Sequence, residues 1–341
     1  MSYQSGMMVS MDVDLEFEPY RRELIAYSYR MLGSAFEAED AVQEAFLRAW
    51  KARDSFKGEA SVRSWLYRIV TNVCLDMLKH SQRRARPTDL GPASDAADAN
   101  ISVLPESSWL TPIPDGVVQS ADPAERVALR ESIQLAFVAA LQHLPPKQRA
   151  VLILREVLQW QAVEVAELLG ITPAAVNSAL QRARVTMSKA KNRTADPADA
   201  MDMRQKQFLA QYVRAFESYD LDYLTSLLHE DVVLSMPPIS LWLCGPNQVR
   251  LWLGGHGRGC RGSRLIPAES ANGVPALAQY RPAETANESP IAPRNDPAGQ
   301  GRWRPWALHV LEIEDGLIYG MNLFMDTPEL FEKCDLPPYL D

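Results

Sequence analysis

The segment AVEVAELLGITPAAVNSALQRARV (162–185) constrains this chain more than any other. Apolar residues recur at helical spacing up to Leu169, Gly170 interrupts them, and Thr172-Pro173 restarts the pattern. Threonine is a good N-cap and proline suits the first helical position. Two helices joined by such a short turn predict a helix-turn-helix. On its second helix Val176, Leu180, Ala183 and Met187 fall on the inner face. Thr172, Ala174, Asn177, Ser178, Gln181, Arg182, Val185 and Lys189 fall at its start or on the outer face. Asn, Gln and Arg are residue types that reach base edges and phosphates in a major groove. Arg184, Lys189, Lys191 and Arg193 would add phosphate contacts. A plain helical hairpin is the competing reading, but it leaves the basic tail without a purpose.

The net charge of −8 argues at first against nucleic acid. Its distribution argues otherwise. Residues 1–194 hold 23 basic and 23 acidic side chains, whereas residues 195–341 hold 12 and 20. Two basic runs, KHSQRRAR (79–86) and QRARVTMSKAKNR (181–193), contain no acid. Seven acids and no base lie between Pro87 and Arg126. Helices are expected over 20–86. The first ends at Gly33, and Ser34-x-x-Glu37 is a capping box that starts the second. The second buries Ala41, Val42, Ala45, Phe46 and Ala49 and turns Asp40, Gln43, Glu44 and Arg48 outward. A third helix is expected from about Ser61 to Arg84. At 100° per residue its Arg68, Asn72, Asp76, Lys79 and Arg83 share a stripe about 80° wide, with Trp65 at one end. Cations beside an aromatic suit unstacked single-stranded bases; a merely solvated face is the plainer alternative.

Residues 87–122 read as a proline-containing acidic tether with one apolar anchor, Ser108-Trp109-Leu110. Helices resume over 124–143 and 147–158. Beyond 195 two helices (202–219 and 221–228) precede the strand-like runs VVLSM, SRLIPA, PALAQYR, WALHVLEIE and LIYGMNLFM. Asp315-Gly316 between the last two is a hairpin signal. Helices followed by an antiparallel sheet indicate an α+β domain. Residues 281–301 form a Pro/Gly/Asn loop. Cys74, Cys244, Cys260 and Cys334 are far apart, which speaks against a zinc site or disulfide framework, and no cofactor or metal is expected. With no long apolar run and no signal-peptide layout, a cytoplasmic location is expected.

DAVQEAFLRAW (40–50) and FKGEASVRSWLYRIVTNVCLD (56–76) strongly resemble region 2 of extracytoplasmic-function (ECF) sigma factors. LPPKQRAVLILREVLQWQAVEVAELLGITPAAVNSALQRAR (144–184) resembles their region 4. YVRAFESYDLDYLTSLLHEDVVLSMPP and WALHVLEIEDGLIYGMNLFMD resemble a SnoaL-like (NTF2-like) extension. The resemblance implies a multidomain chain: an all-α region 2 bundle (20–87) after a tail (1–19), an acidic linker (88–122), an all-α helix-turn-helix region 4 (123–193), and a cone-shaped α+β domain (197–341). It implies binding to core RNA polymerase through Asp40, Gln43, Glu44, Arg48 and Trp50. It places single-stranded −10 DNA on Phe56, Lys57, Ser61, Arg63, Trp65, Arg68, Asn72, Asp76, Lys79, Arg83 and Arg84. Double-stranded −35 DNA falls to Thr172, Ala174, Asn177, Ser178, Gln181, Arg182, Arg184 and Lys189. The run VNSALQRAR departs from the family's usual V-K-S-R-L-H-R-A-R, so fewer charges face the −35 element.

The extension leaves more open. Met236, Trp242, Leu243 and His309 are candidates to line a small-molecule pocket, and an anti-sigma factor is a possible partner. Some relatives of this fold are isomerases or cyclases, which need a base; Asp220, His229, Asp231, His256 and His309 are the candidates. No catalytic residue is assigned, and the expectation is not an enzyme. Two alternatives stand beside the sigma-factor reading: a helix-turn-helix regulator that does not join polymerase, and a SnoaL-type enzyme fused to a DNA-binding region.

Overall fold

The structure is a computed structural model and describes residues 17–56, 58, 61–79, 83–118, 129–189, 203–268, 270–283, 303–325 and 328–341. The tail before 17, Lys57, the start of the 124–143 helix and most of the 281–301 loop lie outside them. The chain divides into two compact units, 1–84 with 117–194, and 85–116 with 195–341.

In the first unit α1 (Arg21–Leu32) ends on Gly33 at φ 73°, where glycine's freedom is needed. Helix α2 (Ala35–Ala52) starts as its capping pattern requires, with the Ser34 hydroxyl accepting the Glu37 amide at 3.3 Å. Its buried face is Ala35, Ala38, Ala41, Val42, Ala45, Phe46 and Ala49. Helix α3 (Val62–Leu78) is capped by Ser61 and stops at Leu78, short of the Arg84 expected from the sequence. The expected helix over 124–143 is broken at Gln134, after which α4 (Leu135–Gln142) begins. The Ser132 hydroxyl there donates to the Leu129 carbonyl and accepts from the Arg30 guanidinium. These bonds compete with the helical ladder. Helix α5 (Pro146–Leu152) runs on into a wider π turn over Ile153–Val157. Helices α6 (Ala162–Leu169) and α7 (Pro173–Lys189) turn by 100° at Gly170, φ 64°. Among the described residues no single helix is long and apolar enough to cross a membrane.

The second unit carries α8 (Met203–Glu217), α9 (Leu221–Ser226), α10 (Pro246–Gly254), α11 (Pro328–Lys333) and six strands. The strands are β1 (Leu228–Ser235), β2 (Trp242–Cys244), β3 (Arg264–Pro267), β4 (Ala276–Pro282), β5 (Trp303–Glu314) and β6 (Leu317–Met325). They form one sheet in the order β2-β1-β6-β5-β4-β3. It is not wholly antiparallel as expected: β1 runs parallel to β6. Asp315 and Gly316 both have positive φ, as a tight hairpin between β5 and β6 demands. The unit is an α+β domain, as expected, and α8 buries Tyr212, Ala215 and Phe216 against the sheet's core. Strand β2 and helix α10 were not anticipated; β2 is three residues long, too short for a period-2 pattern.

Residues 85–116 have little regular structure, as a tether should, yet they are docked on this domain. Trp109, Leu110 and Ile113 are buried. Trp242 donates its indole N–H to the Gly91 carbonyl at 2.9 Å, and its own carbonyl accepts the Ser94 amide at 2.8 Å. The Leu104 amide donates to Pro238, and the Ser240 amide to Ser102. Asp115 is 2% exposed, and its carboxylate accepts from the Ser270 hydroxyl and the Gly273 amide. An acid of the expected tether is thus buried and hydrogen-bonded.

Candidate nucleic-acid interface

Helix α7 is held from below by Val176, Leu180 and Ala183, and Thr172 caps it through the Ala175 amide at 3.2 Å. Thr172, Ala174, Asn177, Ser178, Gln181 and Arg182 are exposed together. This sets two amides, two hydroxyls and a guanidinium in solvent along the start and outer side of the helix, an arrangement that suits base-edge and phosphate contacts. Arg184 is exposed but bonded to Glu156, and Lys189 lies at the last helical position.

Helix α3 differs. Arg68, Asn72, Asp76 and Lys79 are exposed along one side, as the period predicts. Several of the proposed contacts there have protein partners. Arg63 forms a forked pair with Glu23 of α1 at 2.7–2.9 Å and lies over the Tyr67 and Trp160 rings. Burial opposes its charge, but the Glu23 bond prevails and raises its pKa. Arg68 donates to the Glu167 carbonyl of α6 at 2.5 Å, and Arg83 meets His143 at 3.0 Å. Tyr67 meets Trp160 edge-on at 5.1 Å. Region 4 therefore packs on the helix expected to touch −10 DNA. Arg84 is buried and bonded to Glu37 at 2.6 Å, so it stabilises the bundle rather than lying at the surface. Trp65 is half-buried, with the Phe56 ring 4.8 Å away and Phe17 beyond it. Ser61 serves as the α3 cap, and Lys57 lies outside the described residues. Sequence reasoning missed Glu23, Trp160 and Glu167, whose role depends on helix packing that no local pattern encodes.

On α2, Asp40, Gln43, Glu44 and Arg48 are exposed and Trp50 is half-buried beneath the Arg53 guanidinium, 3.7 Å away. Arg48 bonds Glu44 at 2.7 Å and reaches Asp76 of α3 at 3.6 Å. Asp76 in turn bonds Lys79 at 2.7 Å; Lys79 and then Arg48 hold its carboxyl below the ordinary range. One surface charge chain thus joins the α2 and α3 faces.

In the second unit Met236 lines a cavity of about 760 Å³, while Trp242, Leu243 and His309 lie outside its lining. Trp242 clamps the 85–116 segment instead. Of the five candidate bases His256 lines the cavity, exposed and against Trp252 at 5.4 Å. Asp220 caps α9 through the Tyr223 amide, and His229 accepts the Asp231 amide. Buried His309 bridges Tyr212 and Gln279. Among the described residues no cluster of His, Cys, Asp and Glu is placed to hold a metal.

Comparison with known proteins agrees with this geometry. Residues 17–84 match the Sigma-70 region 2 model and residues 134–187 the Sigma-70, region 4 model. The chain is 42% identical over 334 residues to the ECF RNA polymerase sigma factor SigG of Mycobacterium tuberculosis, covering 96% of this chain and 85% of that one. It is 33% identical over 223 residues to SigJ of the same species, covering 64% and 63%. The crystal structure of SigJ superposes with a TM-score of 0.56 at 24% identity, covering 94% of this chain and 99% of that one, a likeness of fold. With both sigma regions matched and a relative this similar over nearly its whole length, the chain belongs to the ECF RNA polymerase sigma factors.

Proposed function

We propose that this sigma factor binds core RNA polymerase through the exposed face of α2 and opens promoters through α3 and α7, and that its C-terminal domain governs the process by holding residues 85–116. Asn177 and Gln181 read −35 bases, with Arg182 on a neighbouring phosphate. The loop 56–61 and the face of Arg68, Asn72 and Lys79 take the melted −10 strand. The work is done in the cytoplasm, where polymerase is. The domain itself is assigned no reaction: His309 has both ring nitrogens engaged, and among the described residues no Asp or Glu joins His256 in the cavity lining.

The observation that carries the regulatory part is the docked linker. A segment that joins regions 2 and 4 must follow polymerase's path between two promoter elements. Here Trp242, Gln248, Ser270 and Asn272 hold its backbone and side chains. Leaving this surface exposes Ala96, which packs in the domain's core, and breaks the Ile113 and Asp115 bonds, which opposes engagement until something compensates.

Transcription in vitro with purified core polymerase tests both parts. Asp115→Ala removes two charge-assisted bonds, roughly 1.5–3 kcal/mol each, and is expected to raise output relative to the unaltered protein. Unchanged output would overturn the regulatory reading. Asn177→Ala and Gln181→Ala are expected to lower output about tenfold or more on promoters whose −35 bases they contact, at roughly 1–3 kcal/mol per lost base contact. Unchanged promoter choice would overturn the −35 assignment.

A further inference from the structure

The turn that follows α5 is wider than a regular helix. The Leu158 amide reaches back five residues to the Ile153 carbonyl at 2.9 Å, and the Trp160 amide donates to Leu154 at 2.9 Å. Such π turns are rare and cluster at functional sites. This one is fixed from several sides. Arg155 donates to the Trp160 carbonyl, and the Gln159 side-chain amide donates to the Glu156 carbonyl at 2.5 Å. Gln159 itself takes a φ of 58°, which residues other than glycine seldom adopt. The turn presents Glu156 to α7. There one carboxylate oxygen accepts from Arg184 twice, from Nη2 at 2.5 Å and from Nε at 3.2 Å. The two residues are 28 positions apart, so the pair bridges two elements. At 100° per residue Arg184 stands about 20° from Asn177 around α7 and about 10 Å further along its axis. It therefore shares the stripe of Asn177 and Gln181, beyond the first turns with which a recognition helix meets the bases.

We propose that Glu156 limits the affinity of region 4 for duplex DNA by holding Arg184 off the phosphates, so that α7 grips the −35 element through its bases more than through its charge. This role rests on the reading that α7 faces that duplex. Spacing and family resemblance give Arg184 a DNA contact, but its guanidinium is turned onto a carboxylate of its own chain. Phosphate contacts set the sequence-independent part of binding and its dependence on salt. The run VNSALQRAR already offers fewer cations than the family's usual one, and Glu156 withdraws one more. The side chains of Arg184 and Glu156 are 62% and 40% exposed, so the pair adds little to stability. Its effect falls on binding, because Arg184 reaches a phosphate only by giving up Glu156.

The test uses the full-length protein bound to core polymerase, with duplex binding followed by fluorescence anisotropy from about 50 to 200 mM salt. One duplex carries the −35 element of a promoter transcribed in vitro, and the other carries that element scrambled. Glu156→Gln is expected to raise affinity for both duplexes by a similar factor, several-fold at the lowest salt. Its log–log salt slope should steepen by about 0.9, the value for one added phosphate contact, so the gain shrinks by about 3.5-fold at the highest salt. The ratio between the duplexes should stay fixed, since a phosphate contact acts alike on every sequence. The double variant, Glu156→Gln with Arg184→Gln, is expected to match the unaltered protein in slope and affinity, because the neutralised pair has no phosphate contact to lose. A merely structural role does not give a steeper slope that the second substitution cancels. An unchanged slope in Glu156→Gln overturns the proposal. So does a slope about 0.9 shallower in the double variant, which would mean that Arg184 leaves Glu156 for a phosphate in the complex. Asn177→Ala on the same duplexes separates the two ideas. Lost discrimination beside an unchanged Glu156→Gln slope removes the role of Glu156 and leaves base reading by α7. Unchanged discrimination beside a steeper slope removes base reading by Asn177 and leaves the role of Glu156.

Discussion

On α7, Asn177, Ser178, Gln181 and Arg182 stand in solvent while Val176, Leu180 and Ala183 fix the helix beneath them. On β4 and β5, Gln279, Arg281 and His309 are buried with their polar atoms turned toward one another or into a cavity. The first arrangement separates function from stability, because an outer side chain is removed at little cost to packing. The second joins them, because each inner polar group lost strands its partners. Helix α3 lies between the extremes: its Arg68 and Lys79 are exposed, yet Arg63, Tyr67 and Arg68 also contact region 4.

That intermediate position gives the largest expected effect. Trp160 is 7% exposed, edge-on to Tyr67 and beneath Arg63. Trp160→Ala should cost about 3–5 kcal/mol, the usual loss for a buried tryptophan, measured by urea unfolding. It should also free the α3 face, so that affinity for a single-stranded −10 oligonucleotide rises in fluorescence anisotropy. A stability loss with no gain in DNA affinity would break the comparison, by showing that α3 is not masked by region 4.

The outer arrangement was legible in the sequence and the inner one was not, for a physical reason. A period of 3.6 sorts residues into faces, so the α7 and α2 surfaces followed from spacing and from the Ser34 and Thr172 caps alone. Buried strands such as ALAQYRP and WALHVLEIE are near-continuous apolar runs, and nothing in them reveals that Gln279 and Arg281 of one meet His309 and Trp306 of the other. The docking of 85–116 was hidden in the same way. Its proline-rich, acidic composition describes a solvated chain, while its attachment depends on single residues, Ala96, Ile113 and Asp115, and on partners more than a hundred positions away. Helix α3 was overextended because the basic run 79–86 continues its charge stripe past the point where helical geometry stops.

The inner arrangement makes the next prediction. His309 titrates near 3 when folded, against 6.5 when unfolded. A base with a lowered folded pKa stabilises nothing by charging; its unfolded form takes the proton first as the pH falls. The penalty is absent above pH 6.5 and grows toward pH 3, reaching about 2 kcal/mol at pH 5. Glu312, raised by burial, works in the opposite direction but is common to the protein and its variant. His309→Leu should therefore be less stable at pH 8, with the Tyr212 hydroxyl and the Gln279 side-chain carbonyl having lost their His309 bonds, yet lose less on going to pH 5. Equal losses in the two proteins would place the acid sensitivity elsewhere.

The smallest stability effect should accompany a large functional one. Arg48 pairs with Glu44 and Asp76 on the surface, and both acids are about half exposed. Exposed pairs of this kind contribute about 0–1 kcal/mol, so Arg48→Ala should shift the thermal midpoint very little. If the α2 face binds polymerase, the same substitution should weaken core binding several-fold in a competition assay and leave −35 duplex binding by α7 unchanged. Arg48→Lys should restore the charge but not the forked reach to both acids, and so recover core binding in part. Loss of duplex binding alongside core binding would mean that the two surfaces are not independent, and the separation of outer function from inner stability would not hold for α2.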